Sequence, residues 1–225
     1  SKAVVIIATA ASCIDNIEQL HKYRLLRTTW EQKGITFLAI NSDASDSPAE
    51  VRLMDNLHNF DIPILLDDSQ LVAESLGLSK AGEIVVLEPS RGQILYRGGL
   101  DTDPVRARPA LNIEPVAGTT VFADVLSAAV ADDAASIEQT ITTDAVGCEL
   151  QFPAREMHAS YTPDYGTEVA PILEEKCISC HVEGGIAPFA MDSHMMVQGW
   201  SPMMKEVIMT KRMPPAQVDP NVKHF

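Results

Sequence analysis

The pentapeptide Cys177-Ile178-Ser179-Cys180-His181 contains the residues best suited to hold a cofactor. Two cysteines separated by two residues and followed at once by a histidine are typical of covalent haem c attachment. The thiols would bond to the porphyrin edge, and His181 would be the proximal iron ligand. A zinc knuckle needs a second ligand pair, whereas Cys13 and Cys148 are single and distant in sequence. A thioredoxin-type redox pair would follow a strand, and a chance surface pentapeptide is the remaining alternative. The motif therefore predicts one haem c and a role in carrying electrons.

Composition and charge narrow the classes of partner. The chain has 225 residues, 46% of them hydrophobic, which suits one large or two small domains. Because no apolar run approaches the ~20 residues that cross a bilayer, we expect no transmembrane segment. The net charge of −14, mostly from residues 1–150, argues against nucleic acid and favours solubility or a basic partner. From the residues at the two ends we expect a processed piece of a longer polypeptide, whose export signal has been removed.

Strand and helix patterns alternate over residues 1–132 and predict an α/β sheet. Strands are predicted at 3–9, 35–40, 62–66, 84–87 and 94–96, the last two joined by a hairpin turn. Helices are predicted at 15–32, 48–57 and 69–76, and Thr119 or Thr120 is expected to cap one that runs to about Ala131. Residues 101–118 read as a surface segment rich in turn formers.

Three regions follow from these patterns. We expect a first domain over residues 1–132, a linker with Cys148 over 133–160, and a small, mostly α domain over 161–225. The last domain is expected to have helices at 168–176 and 197–211, separated by a glycine-rich loop at 184–189, and to be incomplete at its C-terminus.

The element order of the first domain, with Cys13 just after the first strand, resembles the thioredoxin superfamily, and its redoxin branch in particular. The usual catalytic residues of that superfamily are depleted. Asn16 stands where a second cysteine would complete a dithiol motif, and Gly82 stands in place of the expected cis-proline. Ala10 replaces the Thr or Ser that thiol peroxidases carry before their reactive cysteine.

Two interpretations of Cys13 stay open. A cysteine just before a helix has a lowered thiol pKa and is a better nucleophile, whereas a lone cysteine behind a strand is often a small buried hydrophobe. The resemblance to redoxins with a similar tail implies that Cys148 folds back to Cys13, as a resolving thiol or in a structural disulfide. Haem c is attached outside the bacterial cytoplasm, so we expect a periplasmic or other extracytoplasmic location, where a disulfide persists.

Residues 165–220 resemble the small cytochrome c-like domains that are fused behind redoxin domains. The resemblance rests on the segment 170–176, the haem motif, the loop 184–189 and Lys211-Arg212-Met213-Pro214-Pro215. It implies that Met213 is the second axial iron ligand, and the following prolines would stiffen its loop. His194 or an open coordination site are the alternatives, and Phe189 and Trp200 are expected to pack against the ring. Further potential donors compete with Met213: Met191, Met195, Met196, Met203, Met204, Met209 and His224.

Three functions are consistent with these features. The first is an electron-transfer protein in which the thioredoxin-like domain serves for docking or support. The second is thiol oxidoreductase or peroxidase chemistry at Cys13 and Cys148, linked to the haem. The third is an accessory subunit of a larger membrane redox complex. In each case the expected partner is a redox protein, and we favour electron transfer.

Overall fold

The computed structural model describes residues 1–100, 120–131 and 133–215. It divides into two compact units, Ser1–Phe152 and Pro153–Phe225. The predicted surface segment 101–118 and the predicted cap Thr119 lie outside the described residues. Among the described residues, no helix combines the length and apolar character needed to cross a membrane.

The first unit is built on one mixed β-sheet. Its strands are β1 (Ala3–Thr9), β2 (Ile35–Asn41), β3 (Ile64–Leu66), β4 (Ile84–Glu88), β5 (Gln93–Gly98) and β6 (Ile141–Thr142). They lie in the order β3-β2-β1-β4-β5-β6. β1, β2 and β3 are parallel, β4 runs antiparallel to β1, and β5 runs antiparallel to β4. A parallel β-α-β unit beside an antiparallel hairpin is the thioredoxin-like arrangement, so the predicted α/β thioredoxin-like fold is confirmed for this unit.

Helices accompany the strands of this unit, and capping side chains precede two of them. They are α1 (Ile14–Ile17), α2 (Leu20–Trp30), α3 (Pro48–His58), α4 (Leu71–Leu76) and α5 (Val121–Val130). Ser47 and Glu50 form a capping box ahead of Pro48, and the Thr120 hydroxyl accepts a hydrogen bond from the Ala123 N–H. The helix predicted at 15–32 is instead divided between α1 and α2. The division lets Asn16 turn inward, where it is fully buried.

Residues 133–152 were expected to be a linker, but the structure places them within the first unit. β6 pairs with β5 through Tyr96 and Arg97. Ile141, Leu150 and Phe152 are buried, the last two in the same apolar cluster as Cys13. The sequence of residues 133–152 shows no regular periodicity, and burial of these three side chains is what holds the segment to the first unit.

The second unit is helical over its described residues. Its helices are α6 (Pro153–Ala159), α7 (Ala170–Lys176), preceded by a π-helical turn at Tyr165–Val169, and α8 (His194–Met209). Ser193 caps α8 by accepting a hydrogen bond from the Met196 N–H. Pro202 lies inside α8 and cannot donate to the Gln198 carbonyl; the Ser201 hydroxyl donates to that oxygen instead, at 2.8 Å.

Candidate functional site

The first candidate site is a disulfide between Cys13 and Cys148. Cys13 follows β1 at the start of α1 and has 0% of its surface exposed, whereas Cys148 is exposed. Their Cα atoms are 5.8 Å apart across 135 residues of sequence. The structure therefore brings together the two cysteines that the redoxin resemblance paired.

Backbone hydrogen bonds hold the segment that carries Cys148. The Thr143 N–H donates to the Arg97 carbonyl, which continues the pairing of β6 with β5. Further on, the Ala81 N–H donates to the Cys148 carbonyl at 2.9 Å, and the Leu150 N–H donates to the Ser79 carbonyl at 2.8 Å. The segment around Cys148 thus lies as an added antiparallel stretch along residues 79–81.

Two glycines permit this close approach. A Cβ atom on Gly147 would clash with the Ala81 carbonyl oxygen, and one on Gly82 would lie 2.8 Å from the Val146 carbonyl oxygen. Gly82 also has a φ of +88°, which proline cannot adopt. Thioredoxins carry a proline in the corresponding loop. Here the loop at residues 79–82 instead packs against residues 146–150, the segment that carries Cys148.

The surroundings of the disulfide contain a few polar groups. The Cys148 backbone N–H donates to Cys13 Sγ at 3.0 Å, and the Asp15 carboxylate lies within 4.8 Å of both sulfurs. Asn16, at the position of a second dithiol cysteine, accepts a hydrogen bond from the Ala10 N–H. Its Nδ2 has no hydrogen-bond partner among the described residues. The first unit therefore offers one disulfide at this site, and Asn16 leaves the dithiol motif incomplete. Cys13 begins a helix as expected, but α1 has only four residues.

The second candidate site comprises Cys177, Cys180 and His181 at the end of α7. Cys177 ends the helix, and its carbonyl accepts from the N–H groups of Cys180 and His181, which forms a tight turn. Both thiols are free and partly buried. Burial raises the pKa of the Cys177 thiol. Two free thiols and an imidazole are thus gathered within one turn of chain.

The His181 ring is held in a single orientation. Its side chain is buried, with 8% of the residue exposed, and its Nδ1 lies 2.9 Å from the Phe189 carbonyl oxygen. Because a carbonyl only accepts, Nδ1 is the donor, and in the neutral ring this leaves the lone pair on Nε2. A histidine oriented in this way is the usual form of a metal ligand.

Aromatic rings continue outward from His181. The Phe189 ring lies 4.8 Å from the imidazole between centroids and stacks on Trp200 at 4.7 Å. Trp200 keeps 36% of its surface exposed. The two aromatic residues predicted to pack against a porphyrin therefore pack beside the histidine.

The proposed second ligand and its competitors are spread over α8, the residues just before it and the turn after it. Met213 is partly buried, and its N–H donates to the Val207 carbonyl at 2.9 Å. The His194 ring packs on Tyr165 at 4.3 Å between centroids. Met191 is buried in the apolar core, whereas Met195 is 79% exposed. His224, another competitor, lies outside the described residues.

These donors fit a covalently attached haem better than zinc. One group of three potential metal-ligand side chains lies close enough together to bind a metal in residues 1–100, 120–131 and 133–215. It consists of Cys13, Asp15 and Cys148. Cys13 and Cys148 are bonded to each other, so they offer no thiolate. A tetrahedral zinc site at Cys177 and Cys180 would need further ligands that the described residues do not place there.

The apolar surface of the second unit also fits a porphyrin. Over residues 153–215, its buried core consists of Leu173, Met191 and Val197. Large apolar side chains remain exposed beyond this core: Ile172, Val182, Ile186, Met195, Met196, Trp200, Met203 and Ile208. A unit of this size with so small a core gains stability when a large apolar group covers such side chains.

Two solved structures share the fold of about two thirds of this chain. No protein-family model and no curated protein matches the sequence. Among solved structures, an uncharacterized conserved protein from Geobacillus kaustophilus has 25% identity and a TM-score of 0.51, over 67% of this chain and 77% of its own. A hypothetical protein from Sinorhizobium meliloti has 19% identity and a TM-score of 0.50, over 68% and 80%. A secreted disulfide oxidoreductase from Mycobacterium tuberculosis has 12% identity and a TM-score of 0.39, over 58% and 81%.

Proposed function

We propose that this protein is an extracytoplasmic electron-transfer protein that carries one covalent haem c beside its thioredoxin-like unit. The observation that carries the proposal is the geometry of His181. The Phe189 carbonyl fixes its ring with Nε2 free, and two unpaired thiols lie in the same turn. A haem c site requires this combination of groups.

Each residue of the motif has a separate role in this proposal. Cys177 and Cys180 would form the thioether bonds, and His181 Nε2 would be the proximal ligand. Met213 is proposed as the second ligand, with His194 or an open position as alternatives. When bound with His/Met ligation, the group supplies one-electron transfer at a raised potential and leaves no room for a substrate at the iron. Phe189 and Trp200 would shield it from water.

The proposed partner is a redox protein, including the case of a membrane-bound complex to which this chain is an accessory subunit. The net charge of −14 favours a partner with a basic surface and disfavours nucleic acid. Haem c attachment and the Cys13–Cys148 disulfide both suit an oxidising compartment. These features support a periplasmic or other extracytoplasmic location.

The test is to express the full chain in a bacterial periplasm together with a haem c maturation system. We expect a coloured protein whose reduced absorption spectrum is low-spin, and a Cys177→Ala/Cys180→Ala variant that is colourless. A wild-type protein that stays colourless, or that contains zinc at this site, would overturn the proposal.

The second ligand is tested by Met213→Leu, with Met195→Leu as the matched control because Met195 is largely exposed. We expect the methionine-to-iron charge-transfer band to disappear in the first variant and to persist in the second. If the band is absent from the wild type, the ligand is His194 or the site is open.

Thiol-disulfide chemistry is the second candidate function. The observation that favours it is the disulfide itself, which joins the fully buried Cys13 to the exposed Cys148. A peroxidase role has less support, because Ala10 offers no hydroxyl where thiol peroxidases use one.

A further inference from the structure

The Cys13–Cys148 disulfide has two chemically different ends. We propose that it accepts two electrons from a partner protein that has a pair of thiols, that the partner thiolate attacks Cys148 Sγ, and that Cys13 is the leaving group. This inference deepens the second candidate function and is independent of the haem.

Access to the sulfurs gives the first argument. A thiolate attacks a disulfide along the S–S axis, from the side opposite the bond that breaks. Cys13 has 0% of its surface exposed and lies in an apolar cluster with Ala10 and Phe152. Cys148 is exposed, so it is the end that an external thiolate reaches.

Stabilisation of the leaving group gives the second, independent argument. The Cys148 backbone N–H donates to Cys13 Sγ at 3.0 Å. A hydrogen bond to sulfur stabilises the thiolate form, and a more stable thiolate leaves faster. The Asp15 carboxylate lies within 4.8 Å of both sulfurs. Access and hydrogen bonding thus assign the same direction to the reaction.

The fold keeps the two cysteines close after the bond is broken. Ile141 anchors the tail before Cys148, and Leu150 and Phe152 anchor it after, all three buried. The hydrogen bonds from Ala81 N–H to Cys148 and from Leu150 N–H to Ser79 do not depend on the disulfide. The reduced site is therefore organised to form the disulfide again.

The surface beside the exposed end suits a protein partner. Ile14 follows Cys13 directly and is 71% exposed, and Val146 precedes Cys148 by two residues and is 66% exposed. Apolar side chains beside a reducible bond provide contact area for a partner that brings its thiolate to Cys148.

The exchange balances in two steps. The first partner thiolate bonds to Cys148 Sγ, the Cys13–Cys148 bond breaks, and Cys13 leaves as a thiolate that takes a proton from solvent. The second partner thiol, as thiolate, then attacks the partner sulfur of the mixed disulfide and releases the Cys148 thiolate, which is also protonated. The partner is oxidised to a disulfide, and this protein gains two electrons and two protons.

The experiment uses the folded full chain with the neutral monothiol 2-mercaptoethanol, quenched in acid before completion and alkylated with N-ethylmaleimide. Peptide mass mapping then reports each cysteine separately, so Cys177 and Cys180 do not interfere whether or not they carry haem. We expect mercaptoethanol on Cys148 and maleimide on Cys13 in at least tenfold excess over the reverse pattern. Equal adducts, the reverse pattern, or no adduct at thiol concentrations that reduce the unfolded chain would each overturn the proposal.

Single-cysteine variants supply a second measurement. Cys13→Ser leaves Cys148 as the reactive thiol of the site, and Cys148→Ser leaves Cys13. With a small aromatic disulfide as probe, we expect Cys148 to react at least tenfold faster than Cys13, in variants whose circular dichroism matches the wild type. A faster reaction at Cys13 would contradict the assigned direction. Loss of colour in the haem experiment would leave both results unchanged.

Discussion

At the scale of single residues, environment rather than residue type separates the four cysteines. Cys13 and Cys148 are bonded to each other, whereas Cys177 and Cys180 stay free although only two residues separate them. The carbonyl of Cys177 accepts hydrogen bonds from Cys180 and His181, so this turn orients the motif around the histidine. The first pair is suited to thiol exchange and the second to covalent attachment.

Glu88 allows a pH prediction at the same scale. Hydrogen bonds from the side chains and backbone N–H groups of Ser90 and Arg91 lower the pKa of its carboxyl from 4.5 to about 2. A carboxyl whose pKa is lower in the folded than in the unfolded chain stabilises the fold at pH values above its unfolded-state pKa. This contribution is lost as the pH falls toward the folded-state pKa of about 2. We expect Glu88→Gln to lower the free energy of unfolding at pH 7, and the deficit to shrink from pH 4.5 to pH 2.

Urea unfolding at several pH values measures this difference. The matched control is Glu138→Gln, which removes the same charge from an exposed position. A deficit that stays constant over the acid range would show that the Glu88 hydrogen bonds do not depend on its ionised form.

At the scale of elements, the tail at 143–152 behaves as part of the sheet although little of it is strand. It follows β6, continues along residues 79–81, and ends with two buried side chains, Leu150 and Phe152. Its close approach to the 79–82 loop depends on the missing side chain at Gly147. The tail therefore positions Cys148 by backbone contact as well as by the disulfide.

Gly147→Ala tests this dependence. The added methyl would clash with the Ala81 carbonyl, and the backbone has a φ of +156°, so we expect the free energy of unfolding to fall by about 2 kcal/mol or more. Gly92→Ala is the control, because Gly92 has a φ of +64° and nothing within 4 Å of the added atom. We expect Gly92→Ala to lower the free energy of unfolding by about 1 kcal/mol, from backbone strain alone. Equal losses in chemical denaturation would mean that the tail has no tight contact at Gly147.

At the scale of the whole molecule, the two units differ in how much apolar surface they bury. The first unit has two extended clusters of buried side chains on its sheet. The part of the second unit that the structure describes has three buried core residues, and many of its large apolar side chains stay exposed. Small domains with little core gain stability from a staple such as a bound group, and the proposed haem would be that group here.

This contrast predicts unequal resistance to proteolysis. In the Cys177→Ala/Cys180→Ala variant of the full chain, we expect cleavage within residues 153–215 to be at least tenfold faster than in the haem-loaded wild type. Cleavage within residues 1–100, 120–131 and 133–152 should be equally slow in both, because the buried core of these residues does not include the motif. Mass spectrometry of the early fragments measures both rates. Equal cleavage of the second unit in the two proteins would contradict a stabilising role for the haem.

Local sequence was sufficient for much of this protein. It predicted the strands through apolar runs, α3 through Pro48, and α5 through Thr120. The proposed haem site likewise rests on the spacing of Cys177, Cys180 and His181. These features depend on neighbours within a few residues, so their signals are contained in short segments.

Tertiary structure decided the rest. Only the folded chain shows that residues 133–152 join the first unit, that Cys13 is buried while Cys148 is exposed, and that the Phe189 carbonyl orients His181. The break between α1 and α2 likewise accompanies the burial of Asn16 against the loop at Ala10. Each depends on burial or hydrogen bonding set by the folded surroundings, and no local periodicity encodes such contacts.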